Sequence, residues 1–533
     1  MPSLSSADHR VSPPRIEIPR DYNAAHDLIE HNLAAGRASK IAYIDDGSAY
    51  TYGELAERVN RCANALIGLG LRPEERVLLC HHDTIDFPTV FLGAIKAGIV
   101  PIAANTLLTT HDYDYMLRDS RARALVISAP LLPAFAPLLN KHPCLAHVIV
   151  SGAASATEGI RHHSLAELMA AASASFTATE TTCDDACFWL YSSGSTGPPK
   201  GTVHRHSSLI ETAELYAKPI LGIREDDIVF SAAKLFFAYG LGNGLTFPLA
   251  VGATTVLMAE RPTPAAVFAR LRKHRPTIFY GVPTLFAALL ANPDLPPRHE
   301  LDLRLCASAG EALPAEIGRR WTEHFGIEIL DGLGSTEMLH IFLSNRPGAV
   351  RYGTTGTAVP GYELRIIAEN GQPVADGEVG ELQINGPTSA TAYWNNREKS
   401  RNTFHGPWTR SGDKYSVDAD GYYVYAGRSD DMLKVSGNYV SPIEVEAALI
   451  THPAVLEAAV IGKADEEELV KPMAYVVLKG DRQPSAALAE ELRLHVKSRL
   501  APYKYPRWIE FIDELPKTAT GKIQRFKLRA RAA

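Results

Sequence analysis

The sequence predicts an α/β protein: a large N-terminal domain of α/β sheets with a β-rich subdomain, then a small α+β C-terminal domain. Three observations predict it. A chain of 533 residues exceeds what one hydrophobic core usually organises. Short apolar runs alternate with helical patterns in two long series, which implies parallel strands joined by crossover helices. Beyond residue 350 the texture changes to strands and turns, and the polar, glycine-flanked run Gly427 to Gly437 suits a domain boundary.

The first series runs from about residue 75 to 150: RVLLC, the helical IDFPTVFLGAIKAG, then IVPIAA, ALVIS and AHVIV. The second follows a glycine-rich loop: ATTVLM from Ala253, PTIFYGVP from Pro276, LRLCASAG from Leu303 and IEILDGLGSTE from Ile327. Its strands end in Gly/Ser/Thr-rich turns, where open α/β sheets place their ligands. GYELRIIAENGQPV, VGELQING and GYYVYAGRSDD form the β-rich part. The last hundred residues hold the helical SPIEVEAALITHP, the strands AAVIG and AYVVLKG, a helix from Ala486 to about Leu500 and a basic tail. SGAASATEG and AASASFTATETT are expected as surface loops.

Composition excludes several classes. A net charge of −6 and a pI near 6.4 give no electrostatic footprint for nucleic acid or an anionic membrane, so a small-molecule partner is expected. The six cysteines contain no CxxC pair, which argues against a disulfide framework or zinc site and suits a reducing, cytoplasmic setting. The N-terminus lacks a signal-peptide apolar core, and the richest apolar run, from Pro88, is broken by Lys96, Gly98 and Pro101.

Chemistry concentrates in YSSGSTGPPKG, residues 191 to 201. It fails the Walker spacing: counting from Gly194, Pro199 stands where the second glycine belongs and Gly201 where a hydroxyl belongs. Even so, Ser192, Ser193, Ser195 and Thr196 offer hydroxyls, Gly194, Gly197 and Gly201 let backbone N–H groups turn toward one anion, and Lys200 adds charge. Phosphate can be held there without a Walker loop. His81, His82, Asp83, His204 and His206 are expected to serve packing or surface rather than a metal.

The loop resembles the phosphate loop of the adenylate-forming superfamily, which includes acyl- and aryl-CoA synthetases, peptide-synthetase adenylation domains and firefly luciferase. Further resembling segments follow in the family's order: FFAYGLGNG (236–244), SAGEAL (308–313), DGLGSTE (331–337), SGD (411–413), GRSDDMLKVSGNYVSPIEVE (427–446) and PKTATGKIQR (516–525). Together they span most of the chain. The resemblance implies that a carboxylic acid attacks the α-phosphate of ATP, releasing pyrophosphate, and that the acyl group then passes from AMP to the thiol of coenzyme A.

By the same resemblance each matching residue takes a role. Lys522 bridges the carboxylate and α-phosphate, with Glu337 and Thr196 beside it in catalysis and Glu337 as the magnesium ligand. Gly310, Glu311 and Ala312 border the adenine, Asp413 and Arg428 hold the ribose, and Asp331, Gly332, Ser335 and Thr336 complete the nucleotide set. Asp430 is the hinge between residues 1–429 and a mobile 430–533 domain; rotation exchanges Lys522 for the loop of Lys434, Ser436 and Gly437, which serves thioester formation.

Phe236, Ala238, Tyr239, Ala309, Gly334, His340 and Ile341 would line the acid pocket, and aromatic walls with small residues suit a short flat acid. FFAYGLGNG and GSTEMLHIFLSN most resemble the bacterial aryl-CoA ligases that act on benzoate, which implies benzoate as substrate. Hydroxybenzoate, aminobenzoate, cyclohexanecarboxylate, or transfer to a carrier protein by a standalone adenylation enzyme stay open as alternatives, as does a non-catalytic nucleotide sensor. Oligomeric state is open, a homodimer included.

Overall fold

A computed structural model describes residues 2–153, 162–192, 198–428, 431–435, 438–466, 469–480, 482–501, 503–517 and 523–532, with backbone alone at 434, 438 and 439. Two large mixed sheets dominate. The first has the order Ala392–Tyr393, Lys200–Arg205, Ala186–Ser192, Val100–Ala103, Arg76–Cys80, Ala124–Ser128, His147–Ser151, His163–Ser164. From Ala186–Ser192 onward the strands are parallel; Lys200–Arg205 and Ala392–Tyr393 close one edge antiparallel. In the second sheet Ile41–Ile44, Thr254–Val256, Ile228–Ser231, Ile278–Gly281, Leu305–Ser308 and Ile329–Gly334 run parallel, and Ile341–Ser344 turns back antiparallel on the last of them.

Strands form where the apolar runs are continuous because both faces are covered. All four residues of Leu305–Ser308 are buried, and so is every residue of helix Asp86–Lys96 after the first. That helix lies close against helix Tyr52–Gly68: a methyl group at Gly93 would sit 2.8 Å from Cys62 Cβ. Helix starts follow their local chemistry, with Thr51 and Glu54 forming a capping box on Tyr52–Gly68 and Thr109 and Asp112 another on Thr110–Ser120. The β-rich part is an antiparallel sheet of Glu363–Ile367, Gly380–Asn385 and Trp408–Val417, onto which Tyr423–Arg428 pairs.

In the C-terminal part, Val455–Ala464, Val470–Leu478 and Trp508–Phe511 form a sheet that packs with helices Pro442–Ile450 and Ala486–Lys497. The basic tail is a helix, Arg525–Ala532, because Leu528 is buried and Arg525 pairs with Glu446 at 2.7 Å. Within the boundary run, Leu433–Val435 pairs with Asn438–Val440, and Leu433 and Val435 join the C-terminal core. The stretch 171–182 is, after its first residue, the surface loop expected, anchored near its end by Thr181, whose hydroxyl donates to Tyr22 O at 2.7 Å. Residues 154–161, in the other expected surface loop, lie outside the described set. All six cysteines are unpaired, and among the described residues no helix is long and apolar enough to cross a membrane.

Candidate active site

Ser192 pairs with Lys200 across the antiparallel strands Ala186–Ser192 and Lys200–Arg205, so the glycine-rich loop is held at both ends by a hairpin stem. Ser193, Gly194, Ser195, Thr196 and Gly197 lie outside the described residues, as do Asp430, Ser436, Gly437, Lys522 and the side chain of Lys434. Lys200 Nζ sits 4.8 Å above the Tyr393 ring. Burial lowers the Lys200 pKa, and the Glu337 carboxylate opposes that shift. The Tyr393 hydroxyl donates to Glu337 Oε1 at 2.7 Å, so Tyr393 joins the lysine at the loop base to the carboxylate expected to hold metal. The sequence reading missed Tyr393, which sits in a two-residue strand with no motif of its own.

Ser335, Thr336 and Glu337 occupy a tight turn between Ile329–Gly334 and Ile341–Ser344. Met338 N–H donates to Ser335 Oγ, and Leu339 is forced to φ 64°, an uncommon conformation for a branched side chain. Gly334 must lack a side chain, since a methyl group there would be 2.7 Å from His340 O. The Thr336 carbonyl accepts from His204 Nε2 at 2.8 Å. His204 is fully buried and its pKa is pulled down to about 4 by desolvation, so it acts as a neutral brace, as expected of a packing histidine.

On the nucleotide side, Ser308 and Asp331 are register partners at the ends of adjacent parallel strands, with Gly310 beyond them at φ 95° leading into Glu311 and Ala312. Asp331 is 4% exposed, its Oδ1 has no hydrogen-bond partner among the described residues, and burial raises its pKa well above the usual carboxylate value against the opposing Leu313 and Gly332 N–H groups. A buried acceptor without a donor costs about 1–3 kcal/mol, so this oxygen suits a ligand N–H such as an adenine amine. Gly332 lies beside Ile341. Asp413 and Arg428 face each other across antiparallel strands, with Nη1 to Oδ1 at 3.1 Å. The buried Tyr415, two residues along the strand from Asp413, meets Thr355 Oγ1 through its hydroxyl at 3.2 Å.

Of the residues expected to line the acid pocket, Phe236, Ala309 and Ile341 belong to one buried cluster with Tyr216 and Phe247, and Ala238 and Tyr239 pack against it with Phe237. The turn carrying them is fixed by Asp83, whose two carboxylate oxygens each accept Leu235 N–H at 3.3 Å, and by Lys234, which donates to the carbonyls of Met258 and Glu260. His340 sits in an aromatic cage of Phe247, Tyr216 and Tyr239, with ring centroids at 4.5, 5.5 and 5.6 Å. Its Nε2 contacts Tyr239 O at 3.2 Å; a carbonyl only accepts, so Nε2 carries the proton and Nδ1 is bare. Desolvation pulls its pKa down to about 3, so the ring is neutral at pH 7. It is a neutral wall and cannot supply the charge that neutralises a carboxylate.

The family described as AMP-binding enzyme matches residues 30–394, and its C-terminal domain matches residues 444–522. The chain belongs to this family. Among relatives of the AMP-binding enzyme, the benzoate–CoA ligase of Thauera aromatica is 67% identical over 532 residues, covering 99% of this chain and 100% of the relative. The 4-hydroxybenzoate–CoA/benzoate–CoA ligase of Rhodopseudomonas palustris is 51% identical, covering 96% and 94%. The solved structure of a benzoate CoA ligase from Burkholderia xenovorans LB400 superposes with a TM-score of 0.89 at 60% identity, covering 95% of this chain and 100% of that one. That of the anthranilate CoA ligase AuaEII with anthranoyl-AMP gives 0.93 at 45%, covering 97% and 98%. The chain is therefore an adenylate-forming ligase, of a kind that uses ATP and coenzyme A.

Proposed function

We propose that the protein joins benzoate to coenzyme A through benzoyl-AMP, releasing AMP and pyrophosphate. Its likeness to a benzoate–CoA ligase at 67% identity over essentially the whole chain carries the reading. Phe236, Ala309 and Ile341 share a buried cluster against which Tyr239 packs, with the Tyr239 and His340 rings 5.6 Å apart, and such a lining suits a short flat acid.

A carboxylate is a poor acyl donor because oxide leaves badly, whereas AMP leaves readily. The protein must therefore bring two anions together. Neutral His340 leaves that charge to a cation, and we assign it to Lys522, acting as negative charge builds on the α-phosphate and the attacking carboxylate. Lys200 and the loop of Ser192, Ser193, Gly194, Ser195, Thr196 and Gly197 hold the departing phosphates. Asp331 receives the adenine amine with Gly310, Glu311, Ala312, Gly332, Ser335 and Thr336 around it, and Asp413 with Arg428 receives the ribose hydroxyls.

Magnesium suits Glu337: Tyr393 holds one carboxylate oxygen, and a hard cation that keeps waters and phosphate ligands needs only one or two protein oxygens. Bound there, it would neutralise phosphate charge. Among the described residues no three His, Cys, Asp or Glu side chains form another metal cluster. We place the hinge at Asp430, dividing 1–429 from 430–533, so that after adenylation the Lys434, Ser436 and Gly437 loop replaces Lys522 and admits the thiol.

AMP formation across benzoate, 4-hydroxybenzoate, anthranilate, cyclohexanecarboxylate, hexanoate and a long fatty acid, with and without coenzyme A, tests the reading. Benzoate should lead and the long acid should fail, because each poorly fitted methylene changes discrimination by about 1–3 kcal/mol, roughly 10–200-fold. Comparable efficiency on benzoate and the fatty acid would overturn the pocket assignment.

A further inference from the structure

We propose that Gly242 is a specificity-determining position, whose missing side chain sets how far the His340 imidazole withdraws from the acid. The inference rests on the acid pocket assigned above. Gly242 lies on the helical turn Ala238–Leu241 as it widens into the π-helical turn Gly242–Thr246, and all five residues of that second turn are buried. Its backbone has φ −60° and ψ −55°, an ordinary helical conformation open to any L-residue. Glycine in a helix is about 1 kcal/mol less favourable than alanine. Conformational freedom therefore does not explain it.

The neighbour does. A methyl group at Gly242 would lie 2.6 Å from His340 Nε2, closer still to Cδ2, and 3.0 Å from Phe247 Cζ. The imidazole thus fills the space that a side chain at 242 would need. The backbone of His340 cannot retreat, because Gly334 already lies against its carbonyl group. The ring is also tethered by Nε2 to Tyr239 O and flanked by Phe247, Tyr216 and Tyr239. The proposal requires that a ring displaced from Gly242 yield toward the acid pocket assigned above. Gly242 thereby permits a full-sized flat ring to bind, and any side chain at 242 selects against acids, substituted rings first.

The test is a cycle of Gly242→Ala, His340→Ala and the double variant, with KM for benzoate, 3-chlorobenzoate and ATP measured for each beside the unmodified enzyme. Gly242→Ala should raise KM at least tenfold for benzoate and further for 3-chlorobenzoate, with KM for ATP within about twofold. Because the clash is with the ring, the double variant should match His340→Ala within about twofold. Equal rises for acid and ATP, or multiplying effects in the double variant, would overturn the proposal while the benzoate reading stands. Should Gly242→Ala fail to fold, the double variant must fold; its failure would also overturn the proposal. An unmodified enzyme inactive on every aryl acid would overturn the benzoate reading, and this one with it.

Discussion

His204, His206 and His340 are all buried without charge, with pKa values pulled down by desolvation to about 4, 4 and 3. For such groups the unfolded chain binds protons that the folded state refuses, so stability falls as pH drops from about 6.5 toward those values. Asp83 and Glu211, pushed up by burial to about 6 and 7, have the opposite sign: the folded state keeps protons that the unfolded chain has released. The overall acid response is therefore a difference, and one substitution isolates a part of it. His206 Nδ1 accepts Ala24 N–H at 3.1 Å, and His206→Asn keeps an acceptor there without the titration. At one pKa unit per 1.36 kcal/mol, the variant should gain about 2 kcal/mol relative to the parent on going from pH 7.5 to pH 5. Denaturant midpoints read this, and an unchanged difference at the two pH values would contradict it. Tyr393 gives a second test at this scale. Losing its hydrogen bond to the Glu337 carboxylate costs about 1.5–3 kcal/mol, so Tyr393→Phe should lower kcat/KM for ATP roughly 10–150-fold and leave KM for the acid nearly unchanged. A selective loss of acid affinity would contradict that role.

Between elements, the parallel strands were legible because they are continuous apolar runs ending in small polar turns, as in LRLCASAG and IEILDGLGSTE. The antiparallel returns were not. Ala392–Tyr393 is two residues long and takes its place from Thr202 and Val203, distant in sequence, while Ile341–Ser344 is a short return on the strand just before it, Ile329–Gly334. Candidate nucleotide and acid residues could be named from ordered motifs. Tyr393, Tyr216 and Phe247 could not, since a lone aromatic looks the same in a core as beside a ligand. The helical tail was hidden by its charge. Arg525, 2.7 Å from Glu446 and 3.8 Å from Asp431, binds that helix to helix Pro442–Ile450 and to the segment after the proposed hinge. Breaking such a buried pair from one side costs about 3–5 kcal/mol, so Arg525→Ala should speed amide exchange in Pro442–Ile450 and Val455–Ala464 and spare the two large sheets. Uniform acceleration through the whole chain would contradict a local role.

For the whole molecule, the two half-reactions need opposite surroundings, a cation on the carboxylate first and a path for a thiol second. If one face of the C-terminal domain serves each, Lys522→Ala should abolish benzoyl-AMP formation yet convert supplied benzoyl-AMP and coenzyme A to product at close to the normal rate. Single-turnover assays separate the two, and loss of both together would contradict domain alternation. The central claim, that the acid attacks the α-phosphate, is tested most directly by oxygen transfer from benzoate labelled with oxygen-18 in its carboxylate. The account requires one labelled oxygen to appear in AMP and none in pyrophosphate, because the atom bridging acyl and phosphorus leaves with AMP when the thiol attacks. Label in orthophosphate, with ADP as the nucleotide product, would contradict it.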